Sequence, residues 1–293
     1  MKSSSRIALR TVLFLILVVV LSIYIHLLSV KPLSRSLKRA RISPRAENIL
    51  FDQFPESWLE RLNAYRGAAG LPPVAEDPSS SADLAKHMNY MLLNPDDIWH
   101  GESPGRPGYT REGHQAAAES NLWFTGPDIN AATAIDVWMG SIHHRYGLLN
   151  YDLITTGFAI ACNTDHCGAG LNVLRGLQES SPMPNGVIYP GTNQQGVDTD
   201  VFISWQFGWY PRVILRTASL KDESGKLIAI KTSSPQPDEY INMVAIIPKE
   251  NLTAATTYIV DLHVMLGDKD LNRTWAFKTA GFRVYLPIIQ RRQ

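Results

Sequence analysis

The chain has 293 residues, 45% of them hydrophobic and 19% charged, with 20 Gly, 18 Pro and 2 Cys. That length holds about two buried cores, and the composition excludes both wholesale disorder and a fibrous repeat. The net charge of +1 hides a split: residues 1–45 hold nine Lys or Arg and no acid, which leaves 19 basic against 27 acidic residues, or −8, for the rest. A folded part this acidic lacks the cationic footprint of a nucleic-acid binder, so no nucleic acid is expected as a partner.

After a short basic N-terminus (1–10), Thr11 to Val30 is a 20-residue run without Lys, Arg, Asp or Glu. At about 1.5 Å per residue it spans about 30 Å, one hydrocarbon thickness. No Ala-x-Ala site follows it, since the flank reads His26-Leu27-Leu28-Ser29-Val30-Lys31, which favours an uncleaved anchor over a cleaved signal. The protein would then meet the membrane through an N-terminal helix. Lys2, Arg6 and Arg10 precede the span and six basic residues from Lys31 to Arg45 follow it, so positive charge alone points the bulk inward. Residues 31–48 form a basic linker.

Residues 49–184 form one predicted domain, helix-rich from Pro55 and ending in a hairpin by about Leu174. Trp58, Leu59, Leu62 and Tyr65 recur at helical steps until Gly67 and Gly70. Ser79 to Ser81 can cap a second helix with Leu84, Met88 and Met91 on one stripe, and a third is predicted from near Asn130 to Ser141 with Ala131, Ile135, Trp138 and Ile142 on its apolar face. Gly101 to Gly113 reads as a long loop. Thr156–Ala161 and Gly168–Leu174 read as strands joined by Cys162-Asn163-Thr164-Asp165-His166-Cys167. A disulfide between Cys162 and Cys167 suits such a turn better than its rival, a metal site from Cys162, His166 and Cys167, which lacks a second paired motif. A lone bridged pair also fits an oxidising compartment.

Residues 185–281 turn to β: Val213–Leu220, Met243–Ile247, Thr257–Leu266 and Trp275–Lys278 are predicted strands of a small sandwich, with Tyr258, Val260, Leu262 and Val264 on one face and Asp261 and His263 on the other. A C-terminal tail, 282–293, includes a strand candidate at Arg283–Pro287. His87 is expected to pack inside, and His143 and His166 to face solvent.

Taken in order, Leu62-Asn63-Ala64-Tyr65-Arg66, Gly70-Leu71-Pro72-Pro73, Trp99-His100-Gly101, Glu119-Ser120-Asn121-Leu122 and Trp138-Met139-Gly140-Ser141-Ile142-His143-His144-Arg145 resemble the CAP superfamily (cysteine-rich secretory, antigen 5 and pathogenesis-related proteins) across about residues 55–175. The second half is similar, more weakly, to the Ig-like tails of bacterial members. The resemblance implies an α+β chain: a CAP-type α-β-α sandwich, then a small all-β Ig-like sandwich, after an N-terminal membrane helix. It also implies an extracytoplasmic bulk at the cell membrane, or a secreted protein if the signal is cleaved.

Family members carry two His and two acids in a cleft. Carried over, the positions are His100, Glu119 and His144, while the second acid is Ser141 here. Two imidazoles and one carboxylate can hold a divalent metal such as zinc, but acid-base work needing two carboxylates loses a partner. Glu102, Glu112 and His143 are substitutes that nothing in the sequence places in the cleft. The reading that follows is a non-catalytic module binding an extracellular ligand, whether lipid, peptide or cell-wall component; the alternative is a metal-dependent hydrolase or peptidase.

Overall fold

A computed structural model describes residues 57–178, 185–235 and 241–281, all within one compact unit, Leu50–Gln293. The expected membrane span, the basic linker and the strand expected at Arg283–Pro287 lie outside the described residues. Among the described residues no helix is long and apolar enough to cross a membrane.

The chain is α+β, as expected. Helix α1 (Trp58–Ala68) starts where the Ser57 hydroxyl accepts the Glu60 amide at 3.1 Å. It ends before Gly70, whose φ of +76° is a turn that glycine makes without strain. Helix α2 (Pro78–Leu93) starts one step earlier than Ser79: Asp77 caps it and Pro78 fills the first position, where its missing amide is no loss. The stripe Leu84, Met88 and Met91 is fully buried. It lies near a three-stranded antiparallel sheet in the order β2 (Ser120–Thr125), β5 (Cys167–Asn172), β4 (Phe158–Cys162). A Cβ on Gly170 of β5 would come within 2.9 Å of Leu84, so the bare backbone lets helix and strand approach. Cys162 and Cys167 are disulfide-bonded across the β4–β5 turn, which decides the pair against the metal alternative. The short strands β1 (Ala75–Glu76) and β3 (Thr155–Thr156) pair in parallel beside this layer.

Two expectations are corrected here. The stretch from Gly101 to Gly113 is not loop throughout, because α3 (Arg111–Ala118) begins inside it, capped by Thr110 accepting the Gly113 amide at 2.9 Å. Its buried face is Gly113, Ala116 and Ala117, too small to write an apolar period into the sequence. The helix expected from Asn130 to Ser141 is α4 (Ala131–Met139), which stops at Gly140; α5 (Ile142–Leu148) follows after an extended Ser141. Ile142 therefore leaves the α4 face and packs with Tyr146, Ile241 and Met243.

The second half forms two antiparallel sheets. One has the order β6 (Val187–Tyr189), β7 (Ile203–Gln206), β10 (Met243–Pro248), β9 (Ile230–Ser233); the other is β12 (Lys269–Lys278), β11 (Thr257–Leu266), β8 (Val213–Asp222). Along β11, Tyr258, Val260, Leu262 and Val264 are buried while Asp261 is exposed, the alternation of a strand with one wet face. Their core, with Trp205, Val244 and Ile246, is continuous with Leu62, Trp138, Leu148 and Leu171 of the first half. At this seam the Gly191 backbone lies so close to the end of α1 that a Cβ there would fall 1.8 Å from the Ala68 carbonyl oxygen.

Candidate functional site

His100 sits in the segment that leaves α2. Asn94, buried, donates to the carbonyls of Tyr90 and Pro107, each at 2.8 Å, and accepts from Arg106, while the Tyr90 hydroxyl reaches Asp97 and accepts the Ser103 amide at 2.9 Å. The segment is thereby pinned to its own helix. His100 Nδ1 donates to the Ala117 carbonyl at 3.1 Å, at the end of α3. A carbonyl can only accept, so in the neutral ring Nε2 carries the lone pair. Crowding around the ring lowers the His100 pKa, although one face of the residue meets solvent.

His144 lies in the first turn of α5, where Asn121 of β2 donates to its carbonyl at 3.0 Å. Its Nδ1 is buried and has no hydrogen-bond partner. Burial chiefly, then the nearby His100 and His143, push its pKa down to about 4, so the ring is neutral at physiological pH. His100 thus lies within electrostatic reach of His144.

Glu119 goes elsewhere. Its carboxylate accepts from Arg175 Nε at 2.9 Å, Asn172 at 3.3 Å and Gln115 at 3.0 Å, and Arg175 is shared with Asp83 at 2.9 Å. Ser141 precedes α5 and its side chain makes no capping bond. Among the described residues no group of three or more His, Cys, Asp or Glu is arranged to hold a metal ion.

Of the substitutes, Glu112 and His143 are exposed, His143 as expected. Glu102 is buried: one carboxylate oxygen meets His87 Nδ1 at 3.1 Å and the other accepts the Thr110 amide at 2.7 Å. His87 packs inside, as expected, but as half of this pair, with its pKa pushed down to about 4, chiefly by burial. Burial in turn raises that of Glu102. His114 Nδ1 stands 3.0 Å from the Glu102 carbonyl oxygen. The pair was invisible in sequence, since its members are 15 residues apart on different elements. His166 is half-buried rather than exposed, its ring 5.0 Å from that of Phe124.

Residues 59–174 match the family model "CAP: Cysteine-rich secretory protein family". The chain carries a CAP domain. CAP domains are typically extracellular. No curated protein sequence matches the chain significantly. Among solved structures it is similar to an extracellular protein containing an SCP domain from Bacillus anthracis str. Ames (14% identity, 46% of this chain and 45% of that one, TM-score 0.31). It is also similar to CopC from Methylosinus trichosporium OB3b (16% identity, 34% of this chain and 94% of that one, TM-score 0.27). An outer surface protein from Borrelia burgdorferi is a third (17% identity, 39% and 87%, TM-score 0.28). The CAP match ends before β6, so it leaves the β-rich half outside.

Proposed function

We propose that this protein is an extracytoplasmic CAP-domain binding module, held at the cell membrane by Thr11–Val30, that recognises its ligand around the His100 and His144 imidazoles and performs no hydrolysis. The carrying observation is the commitment of Glu119 to Arg175, Asn172 and Gln115. With Ser141 at the other acidic position, neither family carboxylate is free beside the imidazoles to take a proton from water. A peptidase needs that base; a binding site does not.

The donor set fits a divalent ion in part. The buried, unpartnered His144 Nδ1 and the His100 ring, both neutral, are suitable nitrogens, and zinc held by them would supply Lewis acidity toward a carbonyl or carboxylate of the ligand. Glu119 would join only by giving up Arg175, so binding through two nitrogens should be weak.

Equilibrium dialysis of zinc against the full chain in detergent, with His100→Ala, His144→Ala and Glu119→Gln, tests this. The expected result is weak binding lost in either His variant and kept in Glu119→Gln. Zinc retention indifferent to both His variants would remove the metal from the reading, and chelator-sensitive peptide cleavage would replace a binding module with an enzyme.

A further inference from the structure

Trp209 and Tyr210 are 41% and 84% exposed at the tip of the loop between β7 and β8. The loop has a built support. Asn242, fully buried, donates to the carbonyls of Gly208 at 2.5 Å and Pro211 at 2.8 Å, and its side-chain oxygen accepts the Val213 amide at 2.8 Å. Its backbone carbonyl takes the Phe207 amide at 2.9 Å, and Arg212 donates to the Ile241 carbonyl at 3.1 Å. Both ends of the aromatic tip are tied to one buried amide. Leaving large aromatics in water forgoes the stabilisation their burial would bring, so a fixed display of two marks a contact surface.

Charge says what it contacts. From Val201 to Lys221 the sequence has no Asp or Glu and includes Arg212 and Arg216, in a chain whose residues beyond 45 sum to −8. Arg216 is exposed, and Ile214, two residues before it on β8, is 53% exposed. The turn packed against Pro211 adds Asp268 and Lys269, which offset each other, and Asp270, which lies across β11 from Ile214 and meets His263. Aromatic side chains with a polar edge beside arginine suit the headgroup layer of an anionic bilayer.

We infer that this loop rests on the surface of the bilayer carrying the chain's own anchor, with Trp209 and Tyr210 at headgroup depth and Arg216 facing lipid phosphate. The inference rests on the anchored reading above. Between Val30 and Ser57 lie 26 residues, at most about 90 Å of extended chain, so the bilayer is always within reach and a weak contact suffices. The acidic remainder is repelled by an anionic surface, so the aromatic loop, whose flanking strands β7 and β8 carry no acid from Val201 to Lys221, is the part that can approach.

The test is the full chain reconstituted in phosphatidylcholine vesicles with or without phosphatidylglycerol, their acyl chains brominated or plain. All 7 Trp lie at position 58 or later, so the anchor contributes no tryptophan emission. Brominated lipid should dim the wild type. Trp209→Phe should abolish most of that dimming, Trp99→Phe should leave it, and Arg216→Gln should weaken it only in anionic vesicles, all with unchanged circular dichroism. If the chain floats with vesicles through an alkaline carbonate wash but is not dimmed, or if Trp99→Phe removes the dimming, the loop contact is overturned and the anchor stands. Dimming of a chain that carbonate strips off supports the loop contact and overturns the anchor; a chain that neither floats nor dims overturns both.

Discussion

Asn242→Leu probes the support of the aromatic loop with little change in volume. The variant removes three hydrogen bonds from a fully buried side chain. The Val213 amide, on a residue 2% exposed, has no route to water and should cost about 1–3 kcal/mol. The Gly208 and Pro211 carbonyls belong to exposed residues and can rehydrate in part, at about 0.5–1.5 kcal/mol each, for a total of about 2–6 kcal/mol. Urea denaturation of the full chain in detergent, followed by circular dichroism, should show a lowered midpoint, and chymotrypsin should cut faster after Trp209 in the absence of urea, the bond after Tyr210 being protected by Pro211. Asn242→Asp should not recover the loss at neutral pH, since it keeps the oxygen facing Val213 but turns a second carboxylate oxygen onto the Gly208 and Pro211 carbonyls. A midpoint change worth under about 1 kcal/mol in Asn242→Leu, with cleavage unchanged, would refute the claim that this amide holds the loop.

Four further outcomes are expected. His144, with a native pKa of about 4 against about 6.5 unfolded, is neutral in both states at pH 7. Below about 6.5 the unfolded chain takes the proton first, so stability should fall as pH drops from about 6.5 to 4, by up to about 3 kcal/mol, and a denaturation series in His144→Asn should flatten over that window. Gly113→Ala places a Cβ 2.3 Å from a Glu102 carboxylate oxygen and 3.1 Å from the His87 backbone nitrogen, so it should lower the melting temperature and open the His87–Glu102 pair to hydrogen exchange. Cys162→Ser with Cys167→Ser opens a five-residue separation, and urea midpoints should report a loss of about 2 kcal/mol. Arg175→Ala frees Glu119, and dialysis should then show tighter zinc binding if the carboxylate turns toward the imidazoles.

The local part of this architecture was legible. The stripes of α1 and α2 and the alternation of β11 follow from residue spacing, and the cysteine pair from its turn. The end of α4 had its signal in Gly140, which the apolar period running on to Ile142 outweighed. Helix α3 had none, because its inward face is glycine and alanine. Around His100 and His144, the partners of Glu119 could not be read. Its captor Arg175 is 56 residues away in sequence and is chosen by the β2–β5 register and the turn after β5, not by any pattern near Glu119. The His87–Glu102 pair likewise exists only because the segment after α2 folds back on that helix.

The helix carrying His144 explains why the β-rich half cannot be treated as a separate appendage. Seven residues are too few for a helix to hold itself, and its last carbonyls need donors from outside. Arg66, fully buried, donates to the carbonyls of Leu148 and Asn150 at 2.9 Å and of Leu153 at 3.0 Å. Gln206 of β7 serves those of Leu149 at 2.9 Å and Tyr146 at 3.2 Å. Arg145 and Tyr146 bind the helix to the residues flanking the same strand, Arg145 donating to the Phe202 carbonyl at 2.7 Å with its guanidinium 3.3 Å from the centre of the Phe202 ring, and the Tyr146 hydroxyl donating to the Phe207 carbonyl at 3.0 Å. Burial lowers the Arg145 pKa to about 9, which still leaves it charged at pH 7; backbone carbonyls and an aromatic face compensate this cation, which bonds no carboxylate among the described residues. Strand β7 therefore sets where α5 lies, and with it the His144 ring. The segment matched by the family, 59–174, stops short of the residues that seat the helix carrying His144.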